Sequence, residues 1–435
     1  MRDIALILIF AVLIGWALTR PWLGIMILSW FSYMNPHRLT YGFAHYFPFV
    51  AVAAGVTMLS YFMSRERKAF PWSREVVLEV LFTLWFTITT ITALNTDFAW
   101  AYWDRAFKVQ LSIFMTLMIL RTRFHLEALV WTIVISLGFY GVKGGLWSLL
   151  TGGHNRVYGP EQSFIYDNNT LAVALVMTLP LMRYLQVHAQ HRLIRLGLTG
   201  AQVLTALAVL TTYSRGGFLA LAVVGLALWT KSKHKLVFAV TLVLVAVPLV
   251  KFMPREWKER MSTIQNTDEQ DMDQSAKGRL NAWMFAVNLV KDRPFVGGGF
   301  RVFISPEFFK YAPDPRDRHD AHSIYFEVLG EHGFPGLALF LLMGISTWFT
   351  ARSVIKRARK IPELEWAADM VRMLQVSLAG FATGGAFAGL AFFDLPYHLM
   401  AMVVLCNVLV MNEMRRIRRE SFAAAPVPVP AEVAV

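Results

Sequence analysis

Apolar runs of near-membrane length recur along almost the whole chain, and few folds tolerate that pattern. They fall near residues 4–34, 44–63, 75–94, 106–120, 126–150, 168–187, 193–212, 216–230, 235–252, 336–351, 368–392 and 395–413. About 20 apolar residues cross a bilayer as a helix. Lipid offers no partner to an open backbone, so helices are the spanning form that such runs allow. Only 16% of the 435 residues are charged, against about 25% in soluble domains. The chain therefore reads as an all-α polytopic membrane protein with about 12 transmembrane helices. The first run is too long for one straight span. "LTRP" at 18–21 kinks it or divides it into two short helices, giving thirteen spans if that hairpin crosses fully. The basic start and apolar body of "MRDIALILIFAVLIGWA" look like a signal peptide. No small-residue cleavage site is clear, so a retained anchor is expected.

The formal charge of +13 raises the question of nucleic acid. Its distribution answers against it. Basic clusters at 64–74, 121–123, 183–195, 231–235, 352–360 and 415–419 occupy every second loop, as cytoplasmic loops do. The alternate segments, 34–44, 95–105, 151–167, 213–216, 253–335 and 392–396, then face the other side. Twelve spans put both termini in the cytoplasm, in a bacterial inner membrane whose outer face is periplasmic. The sole cysteine, Cys406, permits no intrachain disulfide. The expected organisation is N-terminal helices over 1–252, an external helical segment over 253–335, C-terminal helices over 336–413 and a basic, disordered tail over 414–435. No internal repeat is visible, which weighs against repeat-built transporter folds.

The one long loop is the first place to seek function. Its acidic stretch "TDEQDMDQ" (267–274) reads as a solvated turn rather than a metal site. In "AKGRLNAWMFAVNLVKDRP", Leu280, Trp283, Met284, Val287 and Val290 recur at helical spacing. That predicts an amphipathic helix lying on the membrane or over a cavity. Arg279 in its first turn opposes the helix dipole, which fits an anionic partner and a solvent-facing arginine equally. "FVGGGF" (295–300) is a tight turn without a surrounding phosphate-loop pattern. Residues 322–331 predict a short helix, "GFPG" (333–336) a break, and the rest a span, with His322 at the helix start. His319, Asp320 and His332 read as exposed. Elsewhere, "TTYSRGGFLA" (211–220) sets Arg215 between two apolar runs. Its glycines allow close backbone approach, although a helix-end arginine that snorkels fits as well. Further substrate-binding candidates are Lys143 within a span, Arg156 and Tyr158 in "HNRVYGPEQ", Arg301 after the triple glycine, and Asp394 in "FFDLP".

Together these residues resemble the O-antigen ligase family, which shares a C-terminal module with the O-antigen polymerases. The pattern is His322-Ser323, nine residues, Gly333, two residues, Gly336, joined in order by "YSRGG" (213–217) and "GRLNAWMFAVNLVKDRPFVGGGF" (278–300). The N-terminal part, notably "SYMNPHRLTYGFAHYFPF" (32–49) and "GVKGGLWSLLTGG" (141–153), is similar to exosortase-associated O-glycosylation ligases. The resemblance implies a glycosyltransferase of GT-C-type architecture. Such an enzyme moves a glycan from undecaprenyl diphosphate to a lipid A core hydroxyl at the periplasmic face, with inversion and with no metal or cofactor. By it, Arg215 and Arg279 bind diphosphate, and His322 acts as general base or orients the acceptor. Arginine suits the task, being always charged and presenting a planar donor fork. The partners implied are the lipid-linked glycan, the lipid A core and membrane lipids. The rival readings are a polymerase, a protein or exopolysaccharide O-glycosylation ligase, and a transporter or lipid flippase. The last would spread charge through the midplane on broken helices.

Overall fold

The computed structural model describes residues 2–64, 69–231, 235–262 and 274–423. The acidic run 267–273, with its "DMD", and the tail from 424 onward lie outside them, as do parts of the basic loops at 64–74 and 231–235. The described residues form helices and no strand. α1 (Arg2–Ala17) and α2 (Pro21–Met34) come from the first apolar run. Pro21 at the first helical position starts α2, where its missing N–H is not needed.

These two helices make a hairpin rather than one kinked span. The Asp3 carboxylate accepts the N–H groups of Gly42 and Ala44 at 3.0 and 3.2 Å. The start of α1 thus sits against the loop that follows α2. The first apolar run is thus divided at 18–20 into two helices, one of the two readings that "LTRP" left open.

The remaining apolar runs become α3 (Phe49–Met63), α4 (Arg74–Ile91), α5 (Thr96–Ile119), α6 (Arg123–Leu150), α7 (Asn168–His188), α8 (Arg192–Thr211), α9 (Arg215–Lys231) and α10 (Lys235–Phe252). The external segment holds α11 (Arg255–Ser262), α12 (Gln274–Asp292) and α13 (Phe308–Tyr311). α14 (Ile324–Ala358), α15 (Glu365–Gly384) and α16 (Asp394–Ala423) complete the chain. Among the described residues, α6, α7, α8, α14 and residues Asp394–Glu420 of α16 are long and apolar enough to cross a membrane. Two shorter apolar helices, Phe49–Met63 and Arg215–Thr230, accompany them. The chain is a multi-pass membrane protein.

Side-chain caps fix several helix starts: Ser73, Asn95, Thr122 and Asp167 each accept a backbone N–H from the first turn that follows. Asn95 matters most here. It starts α5 well before the apolar run at 106, so residues 96–105 form a helix wall rather than the expected loop. α7 is buried along nearly its whole length and forms the centre of the bundle. α6 and α8 approach closely through Gly141 and Gly145, where an added Cβ would overlap Thr205 and the Leu204 carbonyl. Such small residues four apart are the usual device for close helix contact in lipid.

Candidate active site

The site begins at a break in α14. Gly333 has φ 68° and ψ −171°, and Pro335 follows it without an N–H to donate. The carbonyls of Gly330 and Glu331 are thereby freed from the helix ladder. They accept the N–H groups of Gly298 and Gly299 at 2.9 and 2.8 Å, while Phe334 N–H donates to the Pro294 carbonyl at 2.9 Å. The triple glycine is therefore a backbone joint between the external segment and the broken helix, and not a phosphate cradle. Gly297 and Gly299 adopt positive φ, and a Cβ on either would press into Gly330 or Ala93.

Directly after this joint comes Arg301, also left-handed, at φ 62°. Its N–H donates to Glu331 Oε1 at 2.7 Å. Its guanidinium reaches Asp320 Oδ2 at 3.3 Å and lies 5.6 Å from the Tyr102 ring centre. The side chain projects into a cavity of about 340 Å³ shared with His322, Asp320, Glu327 and Glu331. The opposite wall comes from the N-terminal half: Tyr102 and Arg105 of α5, and Phe164, Tyr166 and Asp167 ahead of α7.

His322 is held from behind. Trp283 Nε1 of α12 donates to the carbonyl of Ala321 at 2.8 Å, and the Trp283 ring stacks on Phe326 at 4.8 Å. Asn281 anchors the preceding loop through the carbonyls of Asp314 and Asp317. The imidazole itself makes no hydrogen bond to a described residue. Burial pushes its pKa below the ordinary histidine value, and the positive charge of Arg279 pushes the same way; Asp320 opposes both. The neutral form of His322 is thus favoured, and among the described residues its nitrogens accept and donate no hydrogen bond. Its backbone φ of 42° is costly for a side chain this size. Among the described residues only five non-glycines have positive φ, and Tyr213, Arg301 and His322 are three of them. Such strain gathers where surrounding structure over-determines a functional geometry.

Arg215 opens α9, just beyond the left-handed Tyr213. That turn is clamped from several sides. Tyr213 Oη donates to the Gly153 carbonyl at 2.9 Å, Arg260 Nε to the Tyr213 carbonyl at 3.0 Å, and Trp257 Nε1 to the Leu210 carbonyl at 2.8 Å. Asn168, next to the cavity residue Asp167, donates to the Thr212 carbonyl at 2.7 Å. Gly216 and Gly217 pack so tightly on Phe387 and Ala172 that neither admits a side chain. Arg215 is thus half-buried at a helix start braced to the first turn of α7.

Several expectations need correction. α12 begins at Gln274, so Arg279 lies in its second turn and not its first. The buried stripe of α12 is Gly278, Asn281, Ala282, Phe285, Ala286, Leu289 and Val290, so Val290 of the expected face is buried, whereas Leu280 and Met284 are exposed. The predicted apolar face is rotated because small and polar residues, Gly278 and Asn281, make the loop contacts. His332 is fully buried, its Nδ1 2.6 Å from Thr89 Oγ1. Asp320 sits at the cavity wall.

The further substrate-binding candidates are also separated from one another. Lys143 is exposed in a separate apolar groove, 6.0 Å from the Phe139 ring centre. Arg156 lies over the Tyr213 ring at 5.5 Å, and Tyr158 is exposed; neither lines the cavity. Asp394 is buried and accepts a hydrogen bond from Ser32. Conversely, Arg105, Glu327 and Glu331 line the cavity without having been singled out. The two glutamates lie four apart on one helix face, a spacing visible in "FEVLGEH".

Residues 200–341 match the family described as O-antigen ligase. Residues 1–190 match a family of unknown function (DUF5935). No curated protein matches the chain. The cavity draws one wall from each matched region.

Proposed function

Because residues 200–341 match the O-antigen ligase family, we propose that the chain transfers a glycan from undecaprenyl diphosphate to a lipid A core hydroxyl. The transfer occurs at the periplasmic face of the inner membrane. The observation that carries this reading is the uncommitted imidazole of His322, sharing a cavity with Arg301 and lying in the field of Arg279. A sugar hydroxyl is a poor nucleophile at neutral pH, and a neutral imidazole can take its proton during attack.

In the proposed step the acceptor oxygen forms a bond to the anomeric carbon from the face opposite the leaving group. The bond from that carbon to the phosphate oxygen breaks, and its electron pair leaves with undecaprenyl diphosphate. The hydroxyl proton passes to His322. Arg215 and Arg279 hold the diphosphate, whose negative charge grows as the bond breaks. In a partly dry site each charged hydrogen bond contributes on the order of 1.5–3 kcal/mol. Arg301, tied to Asp320 and Glu331, sets the shape of the cavity that His322 lines.

The test is reconstitution of the full chain in vesicles with undecaprenyl-diphosphate glycan and three competing acceptors: lipid A core, a protein substrate and a growing glycan. Preferred transfer to lipid A core supports the ligase reading. Transfer only to protein or to the growing glycan replaces it with an O-glycosylation ligase or a polymerase. Movement of the lipid across the bilayer without glycan transfer would indicate a flippase.

A further inference from the structure

The region of unknown function, residues 1–190, contributes a cation to the cavity that its neighbours leave unused. Arg105 of α5 is half-buried, and its guanidinium lies 3.6 Å from the Phe164 ring centre. It makes no hydrogen bond or ion pair to a described residue. Its donor fork is therefore unfilled, on a side chain that lines the same 340 Å³ space as His322. Arg301, which repels it, is already paired with Asp320. Asp394, the carboxylate in electrostatic range of Arg105, is bonded to Ser32 instead. Removing a charge from water without a partner is costly. Stacking on an aromatic face holds a guanidinium in place and leaves its edge donors open.

We propose that Arg105 is a substrate-binding residue that takes phosphate oxygens of a lipid-linked substrate, making residues 1–190 half of the active site rather than a membrane scaffold. This rests on the glycan-transfer reading above. The phosphate belongs either to the donor diphosphate or to a phosphorylated acceptor core. In both cases the fork accepts two oxygens side by side, which an ammonium group cannot match.

The experiment uses the full chain in vesicles and the variants Arg105→Ala, Arg105→Lys, Arg105→Gln and Phe164→Leu. Lys108→Ala serves as control, because Lys108 is exposed one turn away and paired with Asp104. Michaelis constants for donor and acceptor are measured separately. Binding of undecaprenyl diphosphate without glycan, and of phosphorylated core oligosaccharide, is measured in parallel. Arg105→Ala raises one Michaelis constant by about tenfold or more, Arg105→Lys recovers only part of it, Phe164→Leu gives a smaller rise, and Lys108→Ala changes nothing. Weaker binding of undecaprenyl diphosphate identifies the donor as the source; weaker binding of core oligosaccharide identifies the acceptor. An active wild type matched by folded Arg105→Ala or Arg105→Gln in both constants overturns the inference alone. A wild type inactive with every acceptor sinks the transfer reading. In that case, equal affinity of wild type and variant for both phosphate probes overturns this inference too.

Discussion

Trp283 and Ala321 are joined by a hydrogen bond of 2.8 Å from the indole nitrogen to the backbone carbonyl. The helix that bears Arg279 thus holds the backbone of the residue immediately before His322. Trp283→Phe keeps the stack on Phe326 and loses this bond, worth about 0.5–1.5 kcal/mol net. The expected result is a two- to tenfold fall in kcat with an unchanged donor KM, read from steady-state transfer in vesicles. An unchanged kcat would detach the base from the arginine helix.

The imidazole of His322 is kept below the ordinary histidine pKa by burial and by Arg279. As a base it must be unprotonated, so kcat/KM is level above its pKa and falls tenfold per unit below it. The bend on the acid side is expected below pH 6.5, the ordinary value. His322→Ala is expected to abolish transfer while leaving membrane insertion intact. A bend above 6.5, or activity surviving in His322→Ala, contradicts the assignment.

Arg215 and Arg279 are assigned to the diphosphate. Replacing either with alanine removes charged hydrogen bonds of about 1.5–3 kcal/mol each, a loss of at least ten- to hundredfold in kcat/KM per bond. Arg215→Lys is expected to fail as well, since a point charge does not reproduce a planar fork. Expression followed by a transfer assay separates this from misfolding: normal insertion with normal transfer would remove both residues from the site.

Gly333 occupies a backbone region that is close to glycine-only, and an added Cβ would press into the carbonyls of Phe295 and Pro294. Gly333→Ala is expected to cost about 1–3 kcal/mol from the backbone alone, with the overlap in addition. Thermal unfolding of the detergent-solubilised protein should show a midpoint lower by several degrees. Activity should fall too, because Arg301 hangs from the same joint. A wild-type midpoint would mean that the break is not strained as described.

Each acid around the cavity has a partner for at least one oxygen: Asp320 and Glu331 Oε1 with Arg301, Glu327 with the Ala391 N–H, and Asp167 with the Asn169 N–H. Among the described residues, no group of three or more His, Cys, Asp or Glu side chains is placed to share a metal ion. Transfer in vesicles is expected to be unaffected by a strong chelator. A large loss restored by a divalent cation would require a different account of how the leaving diphosphate is neutralised.

Hydropathy made the helices legible, because a membrane imposes one length and one backbone form. Its failures have local causes. Arg105 was hidden since "TDFAWAYWDRAFK" carries Asp97, Asp104, Arg105 and Lys108, which lower hydropathy enough to suggest a loop. The Asn95 cap and the buried Ala99 and Ala106 were the signals that a helix continued through it. The first run gave no sign of its reversal beyond "TRP", because apolar residues on both sides suit a kink and a hairpin equally. His322 was singled out by its spacing pattern and lines the cavity, whereas His332 was expected to be exposed and is not. His332 points inward to Thr89, ten residues along the same chain and far from any solvent.

The hydrogen bonds from Gly298 and Gly299 to the broken helix run between peptide groups, and the side chains of Arg293 and Glu331 brace the same turn. The peptide-to-peptide part of this frame places no demand on which side chains line the cavity, so the walls can change in residue type while Gly298 and Gly299 stay fixed to the helix.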